Sequence, residues 1–141
     1  MKVKAVMNTK PDYIAPDASI CQAALEMKKR DIGFLPIGDK STDKLIGTLT
    51  DRDIAIRCVA QNADCSKIKV KDFMTADICY CFEDDDLIEA IRLMESKQVR
   101  RLVVLNKDKR FCGVVSVGDL AAKAHELKLS GEVLERICGS K

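Results

Sequence analysis

The seven residues GTLTDRD, Gly47 to Asp53, return 66 positions later as GVVSVGD, Gly113 to Asp119. The echo runs further: MNTKPDYIAPD (Met7 to Asp17) aligns with MTADICYCFED (Met74 to Asp84) at an offset of 67, with Met, Tyr and Asp coinciding. A long internal repeat constrains a fold more tightly than local propensity, because both copies must be able to form the same supersecondary unit. At 141 residues the chain has room for two such units, each of about 60 to 70 residues.

The elements of the two copies correspond one to one. In the first, Ser19 with Gln22 three residues on reads as a capping-box start, followed by Ile20, Ala23, Ala24 and Met27 at helical spacing. In the second, Asp86 and Glu89 take the capping places, and Leu87, Ala90, Ile91 and Met94 form the apolar stripe. Short apolar runs follow, FLPI (Phe34 to Ile37) and RLVVL (Arg101 to Leu105), each suited to one buried strand. The polar turns GDKSTDK (Gly38 to Lys44) and NKDKR (Asn106 to Arg110) then lead into LIGTLT and FCGVVSV, completing a hairpin in each half. Helices are expected in DIAIRCVAQ from Asp53 and DLAAKAHEL from Asp119, so the unit reads β-α-β-β-α, an α+β fold. The expected domain limits are 1–62 for the first repeat, 63–72 for a connector, 73–129 for the second repeat and 130–141 for a C-terminal helical segment. That last segment, SGEVLERIC, places Val133, Leu134 and Ile137 on one side of a short helix, for core packing or a dimer contact.

Composition removes several classes of function. With 24 basic against 22 acidic residues, no general attraction to nucleic acid or anionic membrane is expected. Six aromatic residues and no Trp make a stacking platform for single strands unpromising. No apolar run reaches the ~18 residues of a membrane span, and the start, MKVKAVMNTKPDY, lacks a secretory core, so the expected location is the cytoplasm. Seven cysteines with no C-x-x-C spacing and one histidine, His125, argue against a metal site and favour buried, reduced thiols; a disulfide is permitted but not implied. The acidic run EDDD (Glu83 to Asp86) sits at a helix start, where cap and dipole interactions explain it without a divalent cation. Cys79 and Cys81, two apart on a strand, share a face and are expected to pack. Nucleophile-elbow and phosphate-loop motifs are missing, so the chain reads as a non-enzyme requiring no cofactor.

The heptads carry the chemistry. A strand ending in Thr50 and a helix beginning near Asp53 bring a hydroxyl and a carboxylate to one edge, where the carboxylate could accept from both hydroxyls of a ribose; Ser116 and Asp119 repeat the arrangement. Asp at the entry to a helix is equally a good N-cap, with Thr or Ser two or three places earlier as ordinary turn chemistry, and this alternative stands open for both copies. Gly47 and Gly113 permit close backbone approach. Where the first half has Gly33 and Phe34, the second has Arg100 and Arg101, whose planar forks suit phosphate oxygens; a solvated surface pair is the plainer reading.

Taken together, the Met-led segments at Met7-Asn8 and Met74-Thr75, the D-I-G-F-L-P-I run at Asp31 to Ile37 and the two G-x-x-T/S-x-x-D heptads resemble the cystathionine-β-synthase (CBS) domain in tandem, a Bateman module, over nearly the whole chain. Leu49 to Asp53, LTDRD, is similar to small stand-alone bacterial CBS-pair proteins. The resemblance implies two repeats packed sheet to sheet with pseudo-twofold symmetry, and a homodimer. It implies a regulatory sensor binding an adenosyl ligand, AMP, ADP or ATP first and S-adenosylmethionine or NAD next, in the cleft between repeats, and acting on an unknown effector protein. It implies ribose binding by Thr50, Asp53, Ser116 and Asp119, and phosphate binding by Arg100 and Arg101, paired with Thr50 and Asp53. The opposite site, with Ser116 and Asp119, would then face Gly33 and Phe34 and be empty, hold a nucleoside, or borrow Lys28, Lys29 or Arg30. Adenine would be held by the backbone of Thr9, Lys10 and Pro11 and of Ala76, Asp77 and Ile78, although Pro11 lacks an N–H. The alternative is a ligand-independent dimerisation or interaction module.

Overall fold

In the computed structural model, residues 1–9, 12–39, 41–42, 44–123 and 131–139 are described. The chain divides into two compact units, Asp12–Ile78 and Met1–Pro11 together with Cys79–Lys141.

In the unit Asp12–Ile78, helix α1 (Ile20–Arg30) starts at Ser19, whose hydroxyl accepts the Gln22 N–H while the Gln22 side chain accepts the Ser19 N–H. This is the expected capping box, and it satisfies two amides that an uncapped helix would leave unpaired. The helix ends at Asp31 in the left-handed conformation, φ 53°. Ile20, Ala23 and Met27 are buried, whereas Ala24 is exposed, so the apolar stripe is narrower than its periodicity suggests. The stripe covers an antiparallel hairpin of β1 (Phe34–Asp39) and β2 (Lys44–Thr50), in register from Phe34 opposite Thr50 to Asp39 opposite Lys44 with an irregularity between Ile37 and Gly38. On the outer side of β1, Ile14 pairs in parallel with Ile37. Beyond β2 the chain enters α2 (Asp51–Asp53), which widens without a break into a π-helical stretch, Ile54–Val59. The Ala60 N–H reaches back five residues to the Ala55 carbonyl, and the Ala63 N–H to that of Cys58. A plain α-helix was the expectation here; the wider turn carries Cys58 into the core, fully buried. Helix α3 (Val70–Phe73) adds Val70 to the same core.

The other unit is built on β3 (Tyr80–Phe82), β4 (Arg101–Leu105) and β5 (Phe111–Ser116), in the order β3-β4-β5, with the first pair parallel and the second antiparallel. Helix α4 (Leu87–Lys97) buries Leu87, Ala90, Ile91 and Met94 on this sheet, as its pattern predicts. Its cap differs from expectation: Asp86 accepts the Ile88 N–H, but Glu89 turns to Arg92 at 2.8 Å and closes no box. It ends at Gln98, φ 52°, the equivalent of Asp31 in the first repeat. The sheet continues into α5 (Val117–Ala122). Helix α6 (Gly131–Cys138) sends Ile137 into the core, and the Gln98 side-chain amide donates to the Arg136 carbonyl at 2.9 Å. Ser130, His125 and the side chain of Val133 lie outside the described residues. At the other end of the chain, Val3 is fully buried in this core, held by its N–H to the Asp85 carbonyl at 3.0 Å.

The cysteines depart from the expectation of reduced thiols. Cys21, in the first turn of α1, is disulfide-bonded to Cys65, and the Cys21 N–H donates to the Cys65 carbonyl at 3.1 Å. The other five are free. Spacing gave no hint of the pair because 44 residues separate its members. Closing a loop of that length restricts the unfolded chain, so Cys21→Ser is expected to lower stability by roughly 2–4 kcal/mol. Urea unfolding in the absence of reductant measures the loss, and reductant added to the unaltered protein should reproduce most of it.

Candidate functional site

Both heptads end in reciprocal capping boxes. Thr50 Oγ1 accepts the Asp53 N–H at 3.0 Å and Asp53 Oδ2 accepts the Thr50 N–H at 2.9 Å. Ser116 Oγ accepts the Asp119 N–H at 3.1 Å, and Asp119 Oδ2 accepts the Ser116 N–H at 2.8 Å and its hydroxyl at 2.9 Å. Capping chemistry is therefore present in both copies, but with the hydroxyl residue at the N-cap and the aspartate three places on, rather than the aspartate as the cap. It does not use up the carboxylates, each of which offers two oxygens and about four lone-pair sites. Asp119 Oδ1 has no hydrogen-bond partner among the described residues, whereas Asp53 Oδ1 faces Arg57 Nη2 at 3.3 Å. Arg57 also donates to the Phe73 carbonyl at 2.7 Å, tying the heptad to α3. The sequence reading overlooked this residue; its signal was a cation four positions after Asp53 on a helical segment.

The two glycines make room for another piece of chain. Thr75 pairs with Thr48 through both of its backbone groups, at 2.8 and 2.9 Å, and so crosses β2. A Cβ on Gly47 would lie 2.6 Å from Met74 Sδ and 2.9 Å from the Thr75 carbonyl oxygen. Asn8 likewise pairs with Val114 on β5, at 2.8 and 3.1 Å, and a Cβ on Gly113 would lie 2.6 Å from the Asn8 carbonyl oxygen. Each Met-led segment thus lies on the second hairpin strand of the other repeat. Ala76, Asp77 and Ile78 follow the Met74-Thr75 segment paired with β2, and Thr9 follows the Met7-Asn8 segment paired with β5. Ala76, Asp77 and Thr9 are exposed and Ile78 is half-buried; Lys10 and Pro11 lie outside the described residues.

Arg101 stands directly opposite Ser116 in the β4–β5 ladder, and the Arg100 carbonyl accepts the Val117 N–H at 2.8 Å. Both arginines are exposed. The structure therefore brings Arg100 and Arg101 to the edge that carries Ser116 and Asp119, within one unit. Phe34 and Gly33 hold the matching places beside Thr50, where the Gly33 carbonyl accepts the Asp51 N–H at 2.9 Å. Lys28 and Lys29 lie exposed in the last turn of α1, and Arg30 there is paired with Asp12 and Glu26.

The remaining reactive groups are engaged locally. In the acidic run, Asp84 pairs with Lys4 at 2.8 Å, Asp85 accepts the Phe82 N–H and Asp86 caps α4. Among the described residues no group of three His, Cys, Asp or Glu side chains could hold a metal ion. A shallow cavity of about 440 Å³ lies between β3 and α4, lined by Tyr80, Phe82, Arg92 and Ser96 among others; none of the heptad residues reaches it. Burial, with Asp85 nearby, pushes the Cys81 thiol up to about 12, and burial with Glu83 beside it pushes Cys112 up to about 11. Both stay protonated near neutrality and are poor nucleophiles.

Comparison with known proteins agrees with this geometry. Residues 3–59 and 70–126 each match the CBS domain. The chain belongs to the CBS-domain family. The CBS domain-containing protein YhcV of Bacillus subtilis is 33% identical over 96% of this chain and 94% of its own length. Among solved structures, the CBS domain pair of protein MJ0100, in complex with 5′-methylthioadenosine and S-adenosyl-L-methionine, has a TM-score of 0.77 at 28% identity, covering 86% of this chain and 98% of that one. The CBS domain protein PAE2072 of Pyrobaculum aerophilum, complexed with AMP, has a TM-score of 0.81 at 24% identity and covers 92% and 98%. The fold expected from the duplication, α+β with two CBS repeats, is thus the observed one. No helix among the described residues is long and apolar enough to cross a membrane.

Two measurements probe the site's construction. Gly47→Ala drives a methyl into Met74 Sδ and the Thr75 carbonyl oxygen, and Gly113→Ala into the Asn8 carbonyl oxygen; each is expected to cost about 1–3 kcal/mol in urea unfolding, against a few tenths for Gly118→Ala, whose Cβ would have room. In alkylation at pH 8 on the folded protein, Cys81 and Cys112 are expected to react at least tenfold more slowly than a free peptide thiol, and to lose that protection in urea.

Proposed function

We propose that this CBS pair is a regulatory sensor that binds an adenosyl ligand, with AMP, ADP or ATP as first candidates, at the strand-to-helix edges carrying the hydroxyl–carboxylate pairs. The observation that carries the reading is the edge in the unit with β4 and β5. There Asp119 has an oxygen to spare for a ribose hydroxyl, and Arg101 lies across the ladder from Ser116, within reach of a phosphate on the same nucleoside. Thr9, which follows the segment paired to β5, would offer backbone groups to the base, as Ala76 to Ile78 would beside Thr50 and Asp53. That MJ0100, 28% identical, was solved with two adenosyl compounds supports the class of ligand. On this reading Arg100 and Arg101 serve the Ser116–Asp119 edge rather than Thr50 and Asp53.

The protein would act without catalysis or a required cofactor, in the cytoplasm, as a homodimer whose equilibrium or contact with an effector protein shifts on binding. Such a shift requires the ligand to bind one arrangement more tightly than the other. In a reducing compartment the Cys21–Cys65 bond would open, so binding is best measured in both redox states.

The test is thermal unfolding against adenosine, AMP, ADP, ATP, S-adenosylmethionine and NAD. A ligand at a hundred times its Kd adds about 2.7 kcal/mol of stability. Asp119→Ala is expected to weaken the preferred nucleotide by about ten- to a hundredfold, the worth of a hydrogen bond to a charged group. Arg101→Ala should penalise AMP while sparing adenosine. The second reading, a ligand-independent interaction module, draws on the capping boxes, which give both heptads a structural purpose on their own. Unchanged melting with every compound would establish it in place of the sensor.

A further inference from the structure

Resting on the adenosyl reading above, we propose that Asp51 makes the Thr50–Asp53 site select adenosyl ligands whose 5′ substituent is neutral or positively charged, and reject those with a 5′ phosphate. The two sites of one chain would then read different members of one ligand class.

The argument compares equivalent positions. In the second repeat, Arg100 and Arg101 precede the strand, and Val117 and Gly118 follow Ser116. In the first, Gly33 and Phe34 hold the arginine places, and Asp51 and Arg52 follow Thr50. The Asp51 carboxylate, though exposed, lies over Gly33. A Cβ built on Gly33 would lie 2.6 Å from Asp51 Oδ2 and 3.0 Å from Oδ1. The acid therefore occupies the space where, in the other repeat, the side chain of Arg100 begins. Where one repeat carries a cation on this stretch, the other carries an anion.

Asp51 is held there by its own backbone. Its N–H donates to the Gly33 carbonyl at 2.9 Å, and its Oδ1 accepts the Arg52 N–H at 2.9 Å. Of the neighbouring cations, Arg57 is engaged by Asp53 Oδ1 and the Phe73 carbonyl, and Arg52 is exposed. A ribose held at Asp53 with its base along Ala76 to Ile78 would carry its 5′ carbon toward the start of β1, because Phe34 is the residue paired with Thr50. A phosphate at that carbon meets Asp51 at close range, and like charges there repel strongly where water is displaced. A thioether or hydroxyl meets no such penalty, and a sulfonium is attracted. Gly33 is then required for the acid to lie flat against the strand, since any side chain would evict it.

Isothermal titration with AMP, adenosine, 5′-methylthioadenosine and S-adenosylmethionine tests this on the full chain. In Asp119→Ala, which disables the other site, 5′-methylthioadenosine is expected to bind at least tenfold more tightly than AMP. Adding Asp51→Asn, which keeps an acceptor for the Arg52 N–H, should strengthen AMP about tenfold and leave adenosine unchanged. On the unaltered protein, 5′-methylthioadenosine should fill two sites per chain and AMP one, a reading that does not depend on how well the variants fold. AMP binding as tightly as 5′-methylthioadenosine in Asp119→Ala, equal effects of Asp51→Asn on all four compounds, or two AMP per unaltered chain would each overturn the inference. Loss of all binding in a folded Asp119→Ala would also overturn it while leaving the adenosyl reading intact. Absence of all binding to the unaltered chain would remove both.

Discussion

Everything in this fold hangs on two places where one stretch of main chain pairs antiparallel with another so closely that a Cβ has no room. At Gly47 the Met74-Thr75 segment lies against β2, and at Gly113 the Met7-Asn8 segment lies against β5. A pair of backbone hydrogen bonds to Thr48 or to Val114 fixes each crossing. The main-chain groups of a buried strand must be paired, so these segments complete sheets whose outer strands would otherwise face unpaired amides inward. The consequence is an exchange. The compact unit around β1 and β2 closes with chain from the start of the second repeat, and the unit around β4 and β5 closes with chain from the start of the first. Neither copy of the duplication finishes its own sheet.

On the proposed reading, the exchange gives the heptad a second use besides starting a helix. Thr50 with Asp53, and Ser116 with Asp119, are capping pairs by every distance measured. A capped carboxylate is also a preorganised one. Its position is set by backbone bonds that exist without any ligand, so recognition need not order it first. The crossing segment passes beside the same strand, bringing backbone groups to the same edge. After duplication the two edges kept this scaffold and diverged in charge: Arg100, Arg101 and Val117 on one, Gly33, Phe34 and Asp51 on the other.

Much of this was legible in the residues, for reasons that can be named. The capping box at Ser19 and Gln22, the apolar stripe of α4 and the paired hairpins are local, and local rules govern them. Gly47 and Gly113 announced a close approach but not the approaching partner, which lies 27 residues ahead of one glycine and more than a hundred before the other. The Cys21–Cys65 bond was invisible for the same reason. Ile54 to Val59 carries a helical pattern, yet it opens to π geometry, with Cys58 buried on its inner side, and a helical period does not tell the two widths apart. Glu89 had the right spacing for a cap and a nearer cation in Arg92. Which residue Arg101 stands beside is a matter of strand register, opposite Ser116, and not of distance along the chain.

The proposed sensor also needs its ligand to prefer one state, and rigid caps alone cannot supply a preference. Groups fixed by their own backbone bind equally well in any arrangement that leaves that backbone intact, and equal binding shifts no equilibrium. The crossing segments are different. Thr75 is held to Thr48 by main-chain bonds, yet it leads directly into Ala76 to Ile78, two of them exposed, and then into β3 of the other unit. An adenosyl ligand that engaged both Asp53 and this stretch would tie a capped, immobile carboxylate to the chain that passes between units. Its binding energy would then depend on where that chain runs. On the proposed reading, a link from occupancy to conformation is to be sought in residues 75–79 and, by the symmetry of the repeat, in the residues that follow Asn8, rather than in the heptads themselves.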